Sequence, residues 1–139
     1  MTDIIQRIAM KAVILNDEGK VLLVRVADTP KAGPNAGKYG LPGGKLKPGE
    51  AWNEGLVREV FEETGIKVTP TKPISIGEWR PEVQGLQLQI VGVFITCTAE
   101  RYEVTLSSEN DAYLWASKQD FSDVEVMEPD RQTALDSLT

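Results

Sequence analysis

The run Arg58-Glu59-Val60-Phe61-Glu62-Glu63 sets three carboxylates on one face of a helix, beside its C-terminus. A helix that only had to be stable would avoid this. Residues three and four apart are surface neighbours, so Glu59, Glu62 and Glu63 repel one another by roughly 0.2–0.5 kcal/mol per close pair. The last turn also carries the negative end of the helix dipole, where each anionic side chain costs about 0.3–1 kcal/mol. A multivalent cation seated against the cluster relieves both penalties, and hard cations such as Mg²⁺ take carboxylate oxygens.

At 100° per residue, Glu59, Glu62 and Glu63 fall at about 0°, −60° and +40°. Val57, Val60, Phe61 and Thr64 fall between about 100° and 200°, so the opposite face is expected to pack on a core. Pro48 and Gly49 turn the chain into the helix, and Gly65 suits the left-handed position that ends it. On that assignment Phe61 and Ile66 form the apolar pair of a Schellman stop. The local grammar predicts a loop, a helix of about four turns and a stop.

From Gly44 to Ile66 the chain resembles the Nudix box, G-x5-E-x7-R-E-U-x-E-E-x-G-U with U aliphatic. Gly44, Glu50, Arg58, Glu59, Val60, Glu62, Glu63, Gly65 and Ile66 occupy every specified position. With ordinary residue frequencies a chance match is on the order of 10⁻⁷ over this chain. A solvated acidic helix accounts for the glutamates but not for Gly44, Glu50 and Gly65 at the required spacings.

The resemblance implies Mg²⁺- or Mn²⁺-dependent hydrolysis of a diphosphate bond in a nucleoside diphosphate linked to another moiety. Polyphosphates resist water because their own charge repels nucleophiles. Metal ions that bridge phosphate oxygens and bind water lower that barrier and supply hydroxide near neutral pH. Carried onto this chain, Glu59 and Glu63 are direct metal ligands, Glu62 is a ligand through water or a secondary one, and the carbonyl of Gly43 adds another. Arg58 orients Glu59 or pairs with Glu50; its plain alternative is a helical pair with Glu54. Glu50 favours the helix N-terminus, holds the loop on the helix, or joins the metal. Gly44 and Gly65 are structural members of the box.

Outside the box, Glu109 stands six residues before Trp115, the spacing at which MutT-like members place another catalytic glutamate on a mobile loop. Arg25, Lys31, Lys38 and Arg80 are candidates to reach substrate phosphate. Tyr39, Trp52 and Trp79 are candidates to stack a base, or to fill a core.

Length and charge agree. A chain of 139 residues suits one domain, residues 1–139, with a real core. Its net charge of −6 gives no basic nucleic-acid-binding surface, while divalent metal could still bring an anionic small-molecule nucleotide to an acidic site. No apolar run reaches the length of a membrane span, and no signal-peptide pattern opens the chain. Cys97 is the single cysteine, which excludes an internal disulfide and makes a reducing cytoplasm the simplest setting. The absence of histidine excludes His-assisted nucleophiles and His-ligated zinc. A homodimer stays open.

Along the chain, residues 8–15 and 21–26 are apolar runs around Asn16-Asp17-Glu18-Gly19, a hairpin signal. Residues 27–38 form a long Pro/Gly/Lys-rich loop. Strands are expected at 74–79, 86–99 and 112–116, and a C-terminal helix within 129–138. Strands on both sides of a helix indicate an α/β or α+β domain; the resemblance implies the Nudix α/β/α sandwich around a mixed sheet.

Substrate choice is less determined. The guanine-reading branch carries Asn in an Asn-Glu-Pro context near the chain end, where this chain has Met127-Glu128-Pro129. Pro81, fifteen positions after Ile66, is reminiscent of ADP-ribose-cleaving members, although proline between strands is ordinary turn chemistry. The compact length favours a nucleoside triphosphatase releasing pyrophosphate over an ADP-ribose or nucleotide-sugar enzyme. A Nudix-fold module that binds nucleotide without cleaving it typically loses box glutamates, and here all are present.

Overall fold

In the computed structural model, which describes residues 3–138, the strands are β1 Ile4–Ile14, β2 Val21–Val26, β3 Tyr39–Gly40, β4 Gly43–Lys45, β5 Val68–Trp79, β6 Glu82–Val83, β7 Leu86–Ala99 and β8 Asn110–Ala116. Helix α1, Trp52–Thr64, lies between β4 and β5, and α2, Asp130–Ser137, follows β8. A mixed sheet has the order β4-β1-β7-β5, with β6 on β7; a second, antiparallel sheet has the order β3-β2-β8. β1 and β7 run parallel from Ile4↔Gln87 to Ile14↔Cys97, while β4 and β5 pair antiparallel. Parallel neighbours need a crossover connection, and this one contains α1.

Alternation along β1 divides the core. Met10, Ala12 and Ile14 join Leu56 and Val60 of α1 in one apolar cluster. Val13 joins Phe94 of β7 and Ala134 of α2 in another. Helices therefore cover both sides of the strands, giving the expected α/β/α sandwich. Among the described residues no helix is long and apolar enough to cross a membrane.

Several local expectations are corrected. β1 and β2 do not form a hairpin ladder: they lie in different sheets, joined by a single bridge, Leu15↔Val21. The turn itself is well made, since the Asn16 side-chain carbonyl accepts the N–H groups of Glu18 and Lys20, each at 3.0 Å. Residues 27–38 are not all loop; a kinked 3₁₀ turn spans Pro30–Asn35. A second 3₁₀ turn, Lys118–Ser122, was unanticipated. β5 begins at Val68 rather than 74, with register shifts between Pro70 and Lys72 and between Pro73 and Ser75. It is an edge strand, where proline's missing N–H is tolerated.

Helix α1 also ends differently. Gly65 is left-handed (φ 71°) and donates its N–H to the Phe61 carbonyl at 2.8 Å, but the Ile66 N–H goes to the Thr64 hydroxyl at 3.2 Å. This is the single-bond left-handed stop rather than a Schellman motif. Phe61 is 56% exposed and Ile66 is buried, so the predicted apolar pair does not form. The buried residues of α1 are Gly55, Leu56, Val60 and Thr64. Their arc runs from about −40° to 140° on the scale used above, which puts Phe61 outside it and Glu63 within it.

Candidate active site

Arg58 is the organising cation of α1. Its Nε and Nη2 donate to the two oxygens of Glu50 at 2.7 and 3.0 Å. Its Nη1 donates to Glu59 at 3.0 Å and to Glu62 at 3.2 Å. The pairing with Glu54 does not occur. A planar guanidinium with five fixed donors can hold three carboxylates in this way; an ammonium cannot. Glu50 also accepts the Lys47 N–H at 3.0 Å, so it ties the preceding loop to the helix. The hydrogen bond from Arg58 draws the Glu50 carboxyl down to about 2.

Glu63 is different. Its Oε1 accepts the N–H of Gly43 from β4 at 2.8 Å, and Arg58 does not reach it. Burial pushes its carboxyl up to about 7, against the opposing pull of the Gly43 N–H and Lys11. Burial also raises Glu59, in spite of Arg58. Gly44 explains how Glu59 comes to lie there, because a Cβ at Gly44 would collide with the Glu59 carboxylate. Gly43 has φ 145° and no room for a Cβ against the Met10 carbonyl and the Lys11 backbone. These two glycines let β4 pack tightly between β1 and the acidic edge of α1.

Glu59, Glu62, Glu63 and Glu109 line one groove of about 470 Å³. Lys31, Lys45 and Ser107 contribute other parts of its wall. The loop bearing Glu109 is tied to the helix end, since Thr105 N–H donates to the Thr64 carbonyl at 2.8 Å and Ser107 N–H to that of Glu63 at 3.2 Å. Lys31, Gly43, Gly44 and Lys45 also border an adjoining cleft of about 170 Å³, lined further by Lys11, Trp79 and Pro81.

The remaining sequence candidates lie elsewhere. Arg25 is held by Asp111 at 2.7 Å, Lys38 pairs with Glu125 at 3.6 Å and Arg80 with Glu78 at 2.9 Å; none lines the groove or the cleft. Tyr39 packs against the core cluster that contains Val126, and Trp52 is exposed at the start of α1. Lys11 and Asp130 were missed. The available signal was a lone lysine within the apolar run IAMKAVIL, which alternation places on the face opposite Met10 and Ala12.

The donor set fits a hard divalent cation: the groove gathers four carboxylates and backbone oxygen, and the chain has no histidine. Among the described residues no three carboxylates form a ready cage; Arg58 holds Glu59 and Glu62.

A family model for the NUDIX domain matches residues 5–137, and the chain belongs to that family. It is a Nudix hydrolase, an enzyme of nucleotide pyrophosphate bonds. The nucleoside triphosphatase NudI of Escherichia fergusonii is 28% identical over 127 residues, covering 86% of this chain and 89% of that protein. The CTP pyrophosphohydrolase of Escherichia coli is 30% identical over 117 residues, covering 81% and 78%. The crystal structure of the MutT protein from Methanosarcina mazei superposes with a TM-score of 0.77 at 29% identity, covering 98% of this chain and 94% of that one. Nudix hydrolases generally use divalent metal ions.

Proposed function

We propose that this groove hydrolyses a nucleoside triphosphate to a monophosphate and pyrophosphate, with Mg²⁺ or Mn²⁺, on free nucleotides in the cytoplasm. The observation that carries the proposal is that Glu59, Glu62, Glu63 and Glu109 converge on one groove that continues into the cleft at Trp79. When bound, the metal neutralises phosphate oxygens and lowers the pKa of water. Glu59 and Glu63 would hold it, with the Gly43 carbonyl, and Glu62 through water. Arg58 fixes Glu59 and Glu62 against their mutual repulsion. Glu109, between β7 and β8 and lining the same groove, accepts the proton of the attacking water. Lys31 and Lys45 offset phosphate charge, and Trp79 offers a ring face for a base. Two of the relatives described above are named for triphosphate substrates, which supports this choice.

A second reading, ADP-ribose hydrolysis, is favoured by Pro81, which lies in the cleft beside Trp79. The test is a panel of nucleoside triphosphates, ADP-ribose and nucleotide sugars with Mg²⁺ or Mn²⁺, with products identified by mass. Monophosphate plus pyrophosphate supports the triphosphatase. AMP plus ribose 5-phosphate as the dominant product, at higher kcat/KM, replaces it with the second reading.

A further inference from the structure

Lys11 stands opposite Gly43 in the β1–β4 ladder and lines the cleft, which shares Gly43, Gly44 and Lys45 with the acidic groove. Its Nζ donates to the Leu41 carbonyl at 3.2 Å and to Asp130 Oδ2 at 3.1 Å, and lies 5.9 Å from the centre of the Trp79 ring. An ammonium has three donors, so one is left for a ligand. Asp130 is fully buried at the start of α2; its Oδ2 also accepts the Leu41 N–H at 2.8 Å, while its Oδ1 has no partner. A buried ion pair with an unsatisfied oxygen is a poor device for stability, because desolvation consumes most of the attraction. It is a good device for fixing a charge in space. Lys31 and Lys45 are exposed, whereas Lys11 is held both by the carbonyl of Leu41, just after β3, and by Asp130 of α2. A cation fixed before binding loses little freedom when the ligand arrives.

From this we infer that Lys11 binds the phosphate that joins the nucleoside to the reacting diphosphate, and that Asp130 is its positioning residue. That phosphate must lie between the carboxylate groove and the Trp79 cleft if the base occupies the cleft, and Lys11 lines the cleft opposite Gly43, a residue common to both. The inference rests on the groove taking a nucleotide, and is independent of which base.

The experiment is calorimetric titration, in Mg²⁺, of CMP, UMP, AMP and GMP and separately of inorganic pyrophosphate. Wild type is compared with Lys11→Met, Lys11→Arg and Asp130→Asn, each first checked by thermal unfolding. The best-bound monophosphate should weaken at least tenfold in Lys11→Met and about threefold to tenfold in Asp130→Asn. Pyrophosphate should stay within about twofold in both, and Lys11→Arg should recover most of the loss. Asparagine keeps an acceptor for Leu41, so Asp130→Asn carries the test if Lys11→Met does not fold. Unchanged monophosphate affinity in the variants, or an equal loss of pyrophosphate, overturns the assignment. So does a wild type that binds pyrophosphate but no monophosphate; a wild type that binds neither overturns the nucleotide reading beneath it.

Discussion

Glu63 sits on the buried arc of α1 and so combines two demands that its neighbours share out. Its side chain is partly enclosed, and on the proposed assignment it carries charge to hold a cation. Glu63→Gln should therefore lower kcat at least ~10²-fold with the fold intact, while the exposed Glu54→Gln, on the same helix, stays within a few-fold. Equal activities at saturating Mg²⁺ would refute the assignment. The same enclosure has a signature in stability. In EDTA, Glu63 is raised from 4.5 to about 7 by burial, so between those values the native protein retains a proton that the unfolded chain has lost. Stability then falls as pH rises across that window, and the loss is complete above it. Glu50, lowered to about 2 by Arg58, runs the other way: its contribution is present above about 4.5 and lost as pH falls toward 2. Melting temperatures in EDTA from pH 4.5 to 8 should decline less for Glu63→Gln than for wild type. At pH 8 the variant should melt higher by a few degrees. A lower melting temperature for the variant would show that the Gly43 N–H needs a charged acceptor.

At the scale of elements, β4 and α1 must approach closely for the site to exist, and Gly44 is the contact that permits it. Gly44→Ala pushes on the Glu59 carboxylate, the far end of a flexible side chain, rather than on backbone. The expected outcome is a melting temperature within a few degrees of wild type and at least about a tenfold loss of kcat. A large stability loss with normal specific activity in the folded fraction would show that the glycine serves the fold alone. This geometry explains what was legible in the sequence. The carboxylates and Gly65 are local, related by helical spacing, and α1 could be drawn from residues 44–66 alone. Its rotation could not, because placing Phe61 outside and Glu63 within the buried arc depends on which face β1 and β5 present. Sequence spacing offers Arg58 one partner at a time, and its fork holds three. The hairpin signal does not carry over into a ladder because Asn16 makes a sound turn whichever sheet the next strand joins. Lys11 and Asp130, 119 residues apart, meet only through the sheet, so no spacing rule could pair them.

For the whole molecule, of net charge −6, the proposed metal in the carboxylate groove is expected to contribute to stability. Excess Mg²⁺ should raise the melting temperature of wild type more than that of Glu63→Gln, because only a ligand bound by the native state stabilises it. Identical shifts in thermal scans would mean that Mg²⁺ binds elsewhere or equally to both. The parallel pairing of β1 with β7 has a consequence in time rather than in space. Ile4 finds its partner only once Gln87 has been made. At synthesis rates of about 5–20 residues per second, that is a wait of roughly 4–17 s. Through it the strand that anchors Gly43 and Gly44 has no parallel neighbour, and its apolar residues are open to other chains. Glu59, Glu62, Glu63, Gly43, Gly44, Lys31 and Lys45 of the groove are synthesised before β7, and Glu109 only after it. Most of the groove is encoded early and assembled late, and a nascent chain paused before β7 exposes the unpaired edge of β1 to aggregation.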